Sequence, residues 1–164
     1  LRICMKIILI ILAVLISAFT IYLFILGIHS RSKDIPGLID GHLLKCPNSP
    51  NCISTENKDH VNHYLPPIPL PKNLNVNPFI ILKDIIHTMG GSIQIEKQNY
   101  LAATYSSAIF KFVDDLEIRI DNKQEVIHIR SASRVGRGDM GVNKKRVKLL
   151  KQLFKNNITK TGQE

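Results

Sequence analysis

An uninterrupted apolar stretch near the N-terminus sets the strongest limit on how this chain can fold. Residues 7–28, IILIILAVLISAFTIYLFILGI, form a run of 22 residues without a charged side chain. As an α-helix this run would be about 33 Å long, enough to cross a hydrocarbon core of about 30 Å. The alternative, a buried core helix, would be polar on one face, whereas this segment is apolar all round. The sequence therefore predicts a membrane helix over residues 1–28.

The membrane helix is either a retained anchor or a cleaved signal sequence. It is longer than the apolar region of a typical secretory signal, about 7 to 15 residues, and LFILGIHS contains no small-x-small cleavage site. Cys4 precedes the apolar run, so it is not placed as a lipoprotein cysteine. These features favour an uncleaved anchor, with a cleaved signal as the alternative.

The charges beside the helix give little information about its orientation. Arg2 and Lys6 precede it, while Arg31 and Lys33 follow it, so the positive-inside bias is nearly neutral. A short N-terminal tail in front of a long C-terminal domain most often stays in the cytoplasm. We therefore expect a single-pass protein of the inner, cytoplasmic membrane whose domain lies on the extracytoplasmic, periplasmic side.

Residues 29–76 are predicted to be an extended, Pro-rich lead-in. The stretch YLPPIPLPKN cannot form a helix and is poorly suited to a β-ladder. Apolar side chains along the lead-in would be exposed unless it wraps around the domain. These are Leu43, Leu44, Tyr64, Leu65, Ile68 and Leu70.

Two cysteines of the lead-in, Cys46 and Cys52, have five residues between them in KCPNSPNC, where Pro and Asn favour a tight loop. A disulfide is the favoured interpretation, with free or redox-active thiols as an alternative. A metal site is the third alternative, because His42, His60 and His63 flank the pair. The spacing fits no standard zinc finger or ribbon, so no metal is predicted.

Regular structure is predicted over residues 77–155, followed by a polar tail over 156–164. Asn77 and Pro78 are suited to the start of a helix that Gly90 and Gly91 end. Four runs of period two follow, SIQIEKQ, YLAATYSS, FKFVDDLEIRI and EVIHIRSAS, and the last two are joined by DNKQE as a hairpin. A basic, amphipathic helix comes last. The predicted fold class is α+β: an N-terminal transmembrane helix, then a small domain with an antiparallel sheet of about four strands and two helices.

Alternation along the predicted hairpin assigns its charged residues to faces. If the isoleucines face the core, six charged or titratable residues share the opposite face: Asp115, Glu117, Arg119, His128, Arg130 and Arg134. Glu117 or Asp115 would then face Arg130 across the strands, and ion pairs on a solvated sheet face would explain the cluster. Asp114 falls on the apolar side and needs a partner there, such as Ser131, Ser133 or an Arg of the following loop.

Three ordered motifs resemble a known family. CPNSPNC followed by ST, then FVDDLEIRI, then RSASRVGRGDMGVNKKRV, resembles the domain of unknown function 1499 family over about residues 38–154. The sequence departs from the family pattern at Ile53, Thr55 and Arg137. The resemblance implies a membrane-associated or exported protein of bacterial or plastid type. It implies no activity, because none is established for the family.

Most of the net charge of +9 lies in the C-terminal part of the chain. Residues 128–164 hold ten Lys or Arg against two acids, while residues 29–127 hold ten against eleven. The lysines of the last helix are predicted to form a solvated face, with attraction to anionic lipid as the alternative. These lysines are Lys144, Lys145, Lys148, Lys151 and Lys155.

The segment SASRVGRGDMGVN, residues 131–143, is predicted to be a loop that opens a helix, with Asp139 or Asn143 as the cap. Glycine backbone, a helix N-terminus and guanidinium groups all suit phosphate or carboxylate oxygens. The alternative is an internal Arg–Asp network that pins the loop to the sheet. The candidate ligand-binding residues are Arg130, Ser131, Ser133, Arg134, Arg137, Asp139, Asn143 and Arg146, supported by Asp114, Asp115 and Glu117.

The predicted function is that of a membrane-anchored, envelope-facing binding or structural module for a small anion or an anionic lipid headgroup. The alternative is an enzyme that uses Asp114, Asp115 and Glu117 with the Arg loop, although neighbours on a strand point to opposite faces. The pI of about 9.6 would suit nucleic acid, but no aromatic residues alternate with the lysines, so no nucleic-acid partner is expected. No cofactor is predicted.

Overall fold

The computed structural model describes residues 2–71 and 77–161. Residues 72–76 of the predicted lead-in and 162–164 of the predicted tail lie outside the described residues. In chain order the helices are α1 (Arg2–Arg31), α2 (Pro78–Thr88) and α3 (Val142–Thr161), with a short 3₁₀ turn at Val61–His63. The strands are β1 (Leu38–Ile39), β2 (His42–Leu43), β3 (Cys52–Ser54), β4 (Ile68–Pro69), β5 (Ser92–Lys97), β6 (Tyr100–Ser106), β7 (Val113–Asp121) and β8 (Val126–Ser133).

The main sheet is antiparallel and has the order β3-β8-β7-β6-β5, with β4 also paired to β8. The two short strands β1 and β2 form a separate hairpin. This confirms the α+β class and the four long strands, but the strand count is higher than predicted. The additional strands come from the lead-in, because Ile53 pairs with Ser131 and Ile68 pairs with Ile127 at the free edge of β8. Pro69 is tolerated there because proline is compatible with an edge position.

Both α2 and α3 pack on one face of the sheet and build the core. The Asn77 side chain accepts a hydrogen bond from the Phe79 amide, and Pro78 opens the helix as the sequence predicts. The fully buried side chains of this core include Leu82, Ile86, Leu116, Ile118, Ile127, Ile129, Val147, Leu150 and Phe154. The helix α3 continues to Thr161, into the segment predicted as a polar tail.

The lead-in covers the other face of the sheet. Leu43 packs with Tyr100 and Ala102, and Ile35 and Ile95 border this smaller cluster. A disulfide joins Cys46 and Cys52, with an S–S distance of 2.05 Å, and confirms the favoured interpretation of the cysteines. The predicted wrapping therefore places a layer of chain over the charged face of the hairpin.

The C-terminal end of α1 is built into the domain. Ser30 is fully buried, and its hydroxyl accepts a hydrogen bond of 2.8 Å from the Val113 amide of β7. A Cβ atom at Gly27 would overlap the carbonyl oxygen of Phe110, so only glycine permits this approach. The rings of Phe24 and Phe110 meet edge to face at 5.2 Å. Among the described residues, α1 is the helix whose length and composition suit a membrane crossing, a property that anchors and signal sequences share.

Candidate functional site

The β7–β8 hairpin divides the predicted site residues between two faces of the sheet. Glu117 lies opposite Arg130, the first of the two registers that the sequence allowed. On the face under the lead-in lie Asp115, Glu117, Arg119, His128, Arg130 and Arg134, as predicted from the alternation. On the helix-covered face lie Asp114, Ser131 and Ser133, which meet Asn143 and Arg146 of α3. The candidate residues therefore form two separate clusters.

We call the first cluster the buried charge layer: Glu56, Asp115, Glu117, Arg119, Arg130 and Arg134. Glu117 is 0% exposed, and Arg130 is 5% exposed. One carboxylate oxygen of Glu117 accepts a 2.8 Å hydrogen bond from Arg130 Nη1, and the other accepts from the Tyr100 hydroxyl at 2.8 Å and the Gly37 amide at 3.1 Å. The expectation of a solvated sheet face is wrong for this pair, because the lead-in covers it.

Asp115 and Arg134 form the second ion pair of the layer. Arg134 donates from Nε and Nη2 to the Asp115 carboxylate at 2.9 and 2.8 Å. The same guanidinium donates to the carbonyl oxygen of Lys33, just after α1. Burial raises the pKa of the Asp115 carboxyl, and the hydrogen bonds and charge of Arg134 oppose that rise. Burial likewise raises the pKa of Glu117 against the charge of Arg130.

Glu56 of the lead-in closes the layer at its other end. Its carboxylate pairs with the Arg119 guanidinium and accepts hydrogen bonds from His42 Nδ1 and the Leu43 amide. Burial alone would raise the pKa of Glu56, but these hydrogen bonds outweigh it and hold the pKa below its ordinary value. Each carboxylate in the layer thus has a guanidinium partner, so the layer is suited to fastening the lead-in rather than to binding a ligand.

The second cluster is polar and lies between β7, β8 and α3. Arg146 Nη2 donates to Asp114 Oδ2 at 2.9 Å, and its guanidinium lies 4.3 Å from the centre of the Tyr105 ring. The Ser131 hydroxyl donates to Asn143 Oδ1 at 2.6 Å. Asp114 therefore finds its partner on α3, whereas the sequence suggested a serine or an Arg of the loop. Burial raises the pKa of Tyr105 to about 12, against the charge of Arg146, so its hydroxyl stays protonated.

Asp139 is the cap of α3. Its carboxylate accepts hydrogen bonds from the amides of Gly141 at 3.0 Å and Asn143 at 2.7 Å. Of the two predicted caps, Asp139 has this role, while the Asn143 side chain is buried and bonds to the Asn51 carbonyl. These two amides at the start of α3 are therefore occupied within the protein.

A cavity of about 640 Å³ lies beside the second cluster, where the last turns of α1 meet the domain. Its apolar walls include Leu23 and Leu26 of α1, together with Met89, Phe112, Val135 and Val142. Its polar lining includes Asp114, Ser133, Asp139 and Arg146. Four of the predicted site residues, including the supporting Asp114, thus line this cavity. On the other face of the sheet, the buried charge layer is closed.

A comparison with protein families shows to which family the chain belongs. A family described as "Protein of unknown function (DUF1499)" matches residues 42–154. The chain belongs to this DUF1499 family. The match confirms the resemblance seen in the three motifs. Neither the curated proteins nor the solved structures contain a match to the chain. The DUF1499 segment holds the disulfide loop, the main sheet and most of α3, whereas α1 precedes it.

Within the DUF1499 segment, residues 134–141 form the Arg/Gly loop between β8 and α3. Gly136 has a φ of +80°, a left-handed conformation that favours glycine. Arg137 is exposed and has no hydrogen-bond or ion-pair partner among the residues that the structure describes. It differs from Arg130, Arg134 and Arg146, whose guanidinium groups are bound to carboxylates.

Asn51 positions the Arg/Gly loop and was not among the predicted site residues. Its side-chain amide donates to the Gly136 carbonyl at 2.8 Å, and its own carbonyl accepts from the Ser133 amide at 3.0 Å. Asn51 immediately precedes Cys52, so the disulfide loop supports the loop beside the cavity. The Cys-Pro motif pointed to this segment, but no local pattern links Asn51 to a loop 85 residues later in the chain.

The acidic residues of the alternative enzyme hypothesis are separated by the sheet. Asp114 lines the cavity, while Asp115 and Glu117 lie in the buried charge layer. The lysines of α3 are mostly exposed, and Lys151 is half-buried, where it donates to the Pro66 carbonyl at 2.6 Å. In the described part of the structure, the cavity with the Arg/Gly loop at its edge is thus an open site next to the predicted residues.

Proposed function

We propose that this DUF1499 protein is a single-pass membrane protein whose domain lies on the extracytoplasmic side and binds a small anion or an anionic lipid headgroup at its Arg/Gly loop. The observation that carries the proposal is the exposed, unpaired guanidinium of Arg137 on a loop that borders the cavity beside α1. A guanidinium offers several donors in a planar arrangement that suits phosphate oxygens.

The junction between α1 and the domain supports a retained anchor. Ser30 and Gly27 are buried against β7 and the loop before it, so α1 completes the packing of the domain. Cleavage after α1 would remove both contacts. The Cys46–Cys52 disulfide supports the extracytoplasmic side, because disulfides persist in oxidising compartments.

The experiment compares wild type with Arg137→Ala in nanodiscs of anionic or zwitterionic phospholipid, and in detergent with added phosphate. A ligand present at 100 times its dissociation constant stabilises the folded state by about 2.7 kcal/mol. We expect a higher melting temperature for wild type with phosphate or anionic lipid, and no such increase for Arg137→Ala. The basal stability of the variant should change by less than about 0.5 kcal/mol, because the side chain is exposed.

Lys123→Ala is the matched control, since Lys123 is an exposed cation in the turn between β7 and β8. Its loss should leave the stabilisation by anions unchanged. Equal stabilisation of wild type and Arg137→Ala, or no stabilisation of wild type by either anion, would contradict the proposal.

A further inference from the structure

We propose that the cavity beside α1 takes an acyl chain of a membrane lipid, which enters from the bilayer. This inference deepens the proposed function and rests on it for the membrane-spanning α1 and for the headgroup at Arg137. It concerns the apolar interior of the cavity. The Arg/Gly loop can bind a charged headgroup but not the apolar part of a ligand.

The position of the cavity along α1 is the first argument. The apolar run ends at Ile28, and Leu26 and Leu23 lie two and five residues before that end. At 1.5 Å per residue these positions are about 3 and 7.5 Å inside the apolar segment. Both side chains line the cavity. When α1 spans a bilayer, this wall therefore lies at the depth where acyl chains begin.

The chemistry of the walls is the second argument. A volume of about 640 Å³ lies within the range of about 300 to 1,000 Å³ for small-molecule sites. The charged groups inside are already paired, because Arg146 donates to Asp114, Ser131 and Asn143. An anion would find no free guanidinium there, whereas each buried CH₂ group of an alkyl chain contributes about 0.8 kcal/mol.

Exposed apolar side chains near the cavity are the third argument. Met140, in the Arg/Gly loop, lines the cavity and is 95% exposed, and Ile109 is 70% exposed. Ile109 precedes Phe110, whose ring contacts Phe24 within the apolar run of α1. The Phe110 contact holds the Ile109 loop at the membrane end of the domain, and exposed cations at Lys111 and Arg137 are suited to the headgroup region.

The test measures lipid retention by native mass spectrometry of the full chain released from detergent micelles. The probes are a lysophosphatidate and a monoacylglycerol with the same sixteen-carbon chain, and glycerol phosphate without a chain. Leu26→Trp places a bulky ring in the cavity wall, while Ile25→Trp is the matched control on the neighbouring, exposed position of α1. Excluding as few as two CH₂ groups should weaken binding by about tenfold.

We expect wild type and Ile25→Trp to retain both long-chain probes, and Leu26→Trp to lose both by about tenfold or more. Val142→Trp fills the cavity from α3 and should give the same loss. If Leu26→Trp does not fold, Val142→Trp still tests whether the cavity holds the acyl chain. Equal retention by both of these variants and Ile25→Trp would overturn the proposal.

The same probes separate this inference from the headgroup proposal. If Arg137→Ala retains both long-chain probes while Leu26→Trp loses them, the acyl site stands and the headgroup site fails. If glycerol phosphate binds as well as the long-chain probes and only Arg137→Ala abolishes binding, the acyl site fails. In vesicles, a phospholipid with a photoreactive acyl chain should crosslink to wild type at the cavity walls. Crosslinking by a free fatty acid but not by this phospholipid would overturn a membrane phospholipid as the occupant of the cavity.

Discussion

Arg130 and Arg146 each pair with a carboxylate of β7, but on opposite faces of the sheet. Arg130 lies under the lead-in beside a fully buried Glu117, and the neighbouring pairs close the layer around it. Arg146 lies at the wall of an open cavity, next to a loop with a free cation. The two pairs have similar local chemistry, so the chain that covers each face decides whether an Arg–carboxylate pair is enclosed or borders an open cavity.

The largest expected effect comes from removing the acid of the covered pair. Glu117→Ala leaves the Arg130 charge buried without a partner, which costs about 3 to 5 kcal/mol in the free energy of unfolding. The measurement is thermal or chemical unfolding of the full chain in detergent. The partly exposed pair of Lys83 and Glu96 supplies the control, and Glu96→Ala should lower the free energy of unfolding by less than about 1 kcal/mol.

Replacing both members of the covered pair, as Glu117→Leu with Arg130→Met, should restore much of the stability, because apolar substitutes of similar size remove both buried charges. If Glu117→Ala lowers the free energy of unfolding by no more than Glu96→Ala does, water reaches Arg130. The face under the lead-in would then be no more closed than the face with the cavity.

The sequence predicted which charged residues of the hairpin share a face, but not which part of the chain covers them. A period of two places Glu117 and Arg130 on one face, and the short turn gives their register, so both could be predicted. The covering of this face by the lead-in could not be predicted, because Gly37 and Glu56 reach the buried charge layer through contacts that follow no local periodicity. For the same reason Arg146 was not recognised as the partner of Asp114, 32 residues earlier in the chain.

The sequence named several residues beside the cavity, but it did not predict the cavity itself. Arg137, Asp139 and Arg146 were all named, and Asp139 proved to be the helix cap. The cavity requires Leu23 and Leu26, which the sequence assigned to the membrane helix alone. A run that is apolar all round gives no indication of which of its sides contacts a domain.

An intermediate effect is expected from the disulfide, because Asn51 connects it to the cavity side. The bond closes a loop with a sequence separation of 6. For a loop of this size the chain-entropy relation gives about 2 kcal/mol of stabilisation. Replacing Cys46 and Cys52 by Ala should lower the free energy of unfolding by that amount, measured against wild type without reductant.

The same double variant should also increase amide exchange in the Arg/Gly loop, because Asn51 holds the Gly136 carbonyl. Cys4→Ala is the control, since Cys4 is a free, exposed thiol. Unchanged exchange in the loop would show that the disulfide acts on the lead-in side alone.

The smallest effect is expected from pH. Burial lowers the pKa of His128, which lies in the covered face with Nδ1 at 3.3 Å from the Thr55 carbonyl oxygen. Below the ordinary value of 6.5 the unfolded chain takes up a proton that the folded state resists. Stability should therefore be fully present above about pH 6.5 and should decrease as the pH falls below it.

The measurement is the change in melting temperature between pH 7.5 and 5.5, compared between wild type and His128→Gln. Asp115 and Glu117, whose pKa values are raised by burial, act in the opposite direction in both proteins, so the difference isolates His128. His87→Gln, at an exposed position of α2, should behave like wild type. An equal response of wild type and His128→Gln would indicate that the covered face admits water around this ring.

The bond between Ser30 and the Val113 amide has a consequence for the order in which the protein is made. The two residues are 83 positions apart, so α1 leaves the ribosome long before its partner strand. Until β7 is synthesised, the surface around Gly27 and Ser30 has no domain to contact. The junction of helix and domain is therefore a late event of biogenesis, and a nascent chain that stops before β7 carries α1 without its docking partner.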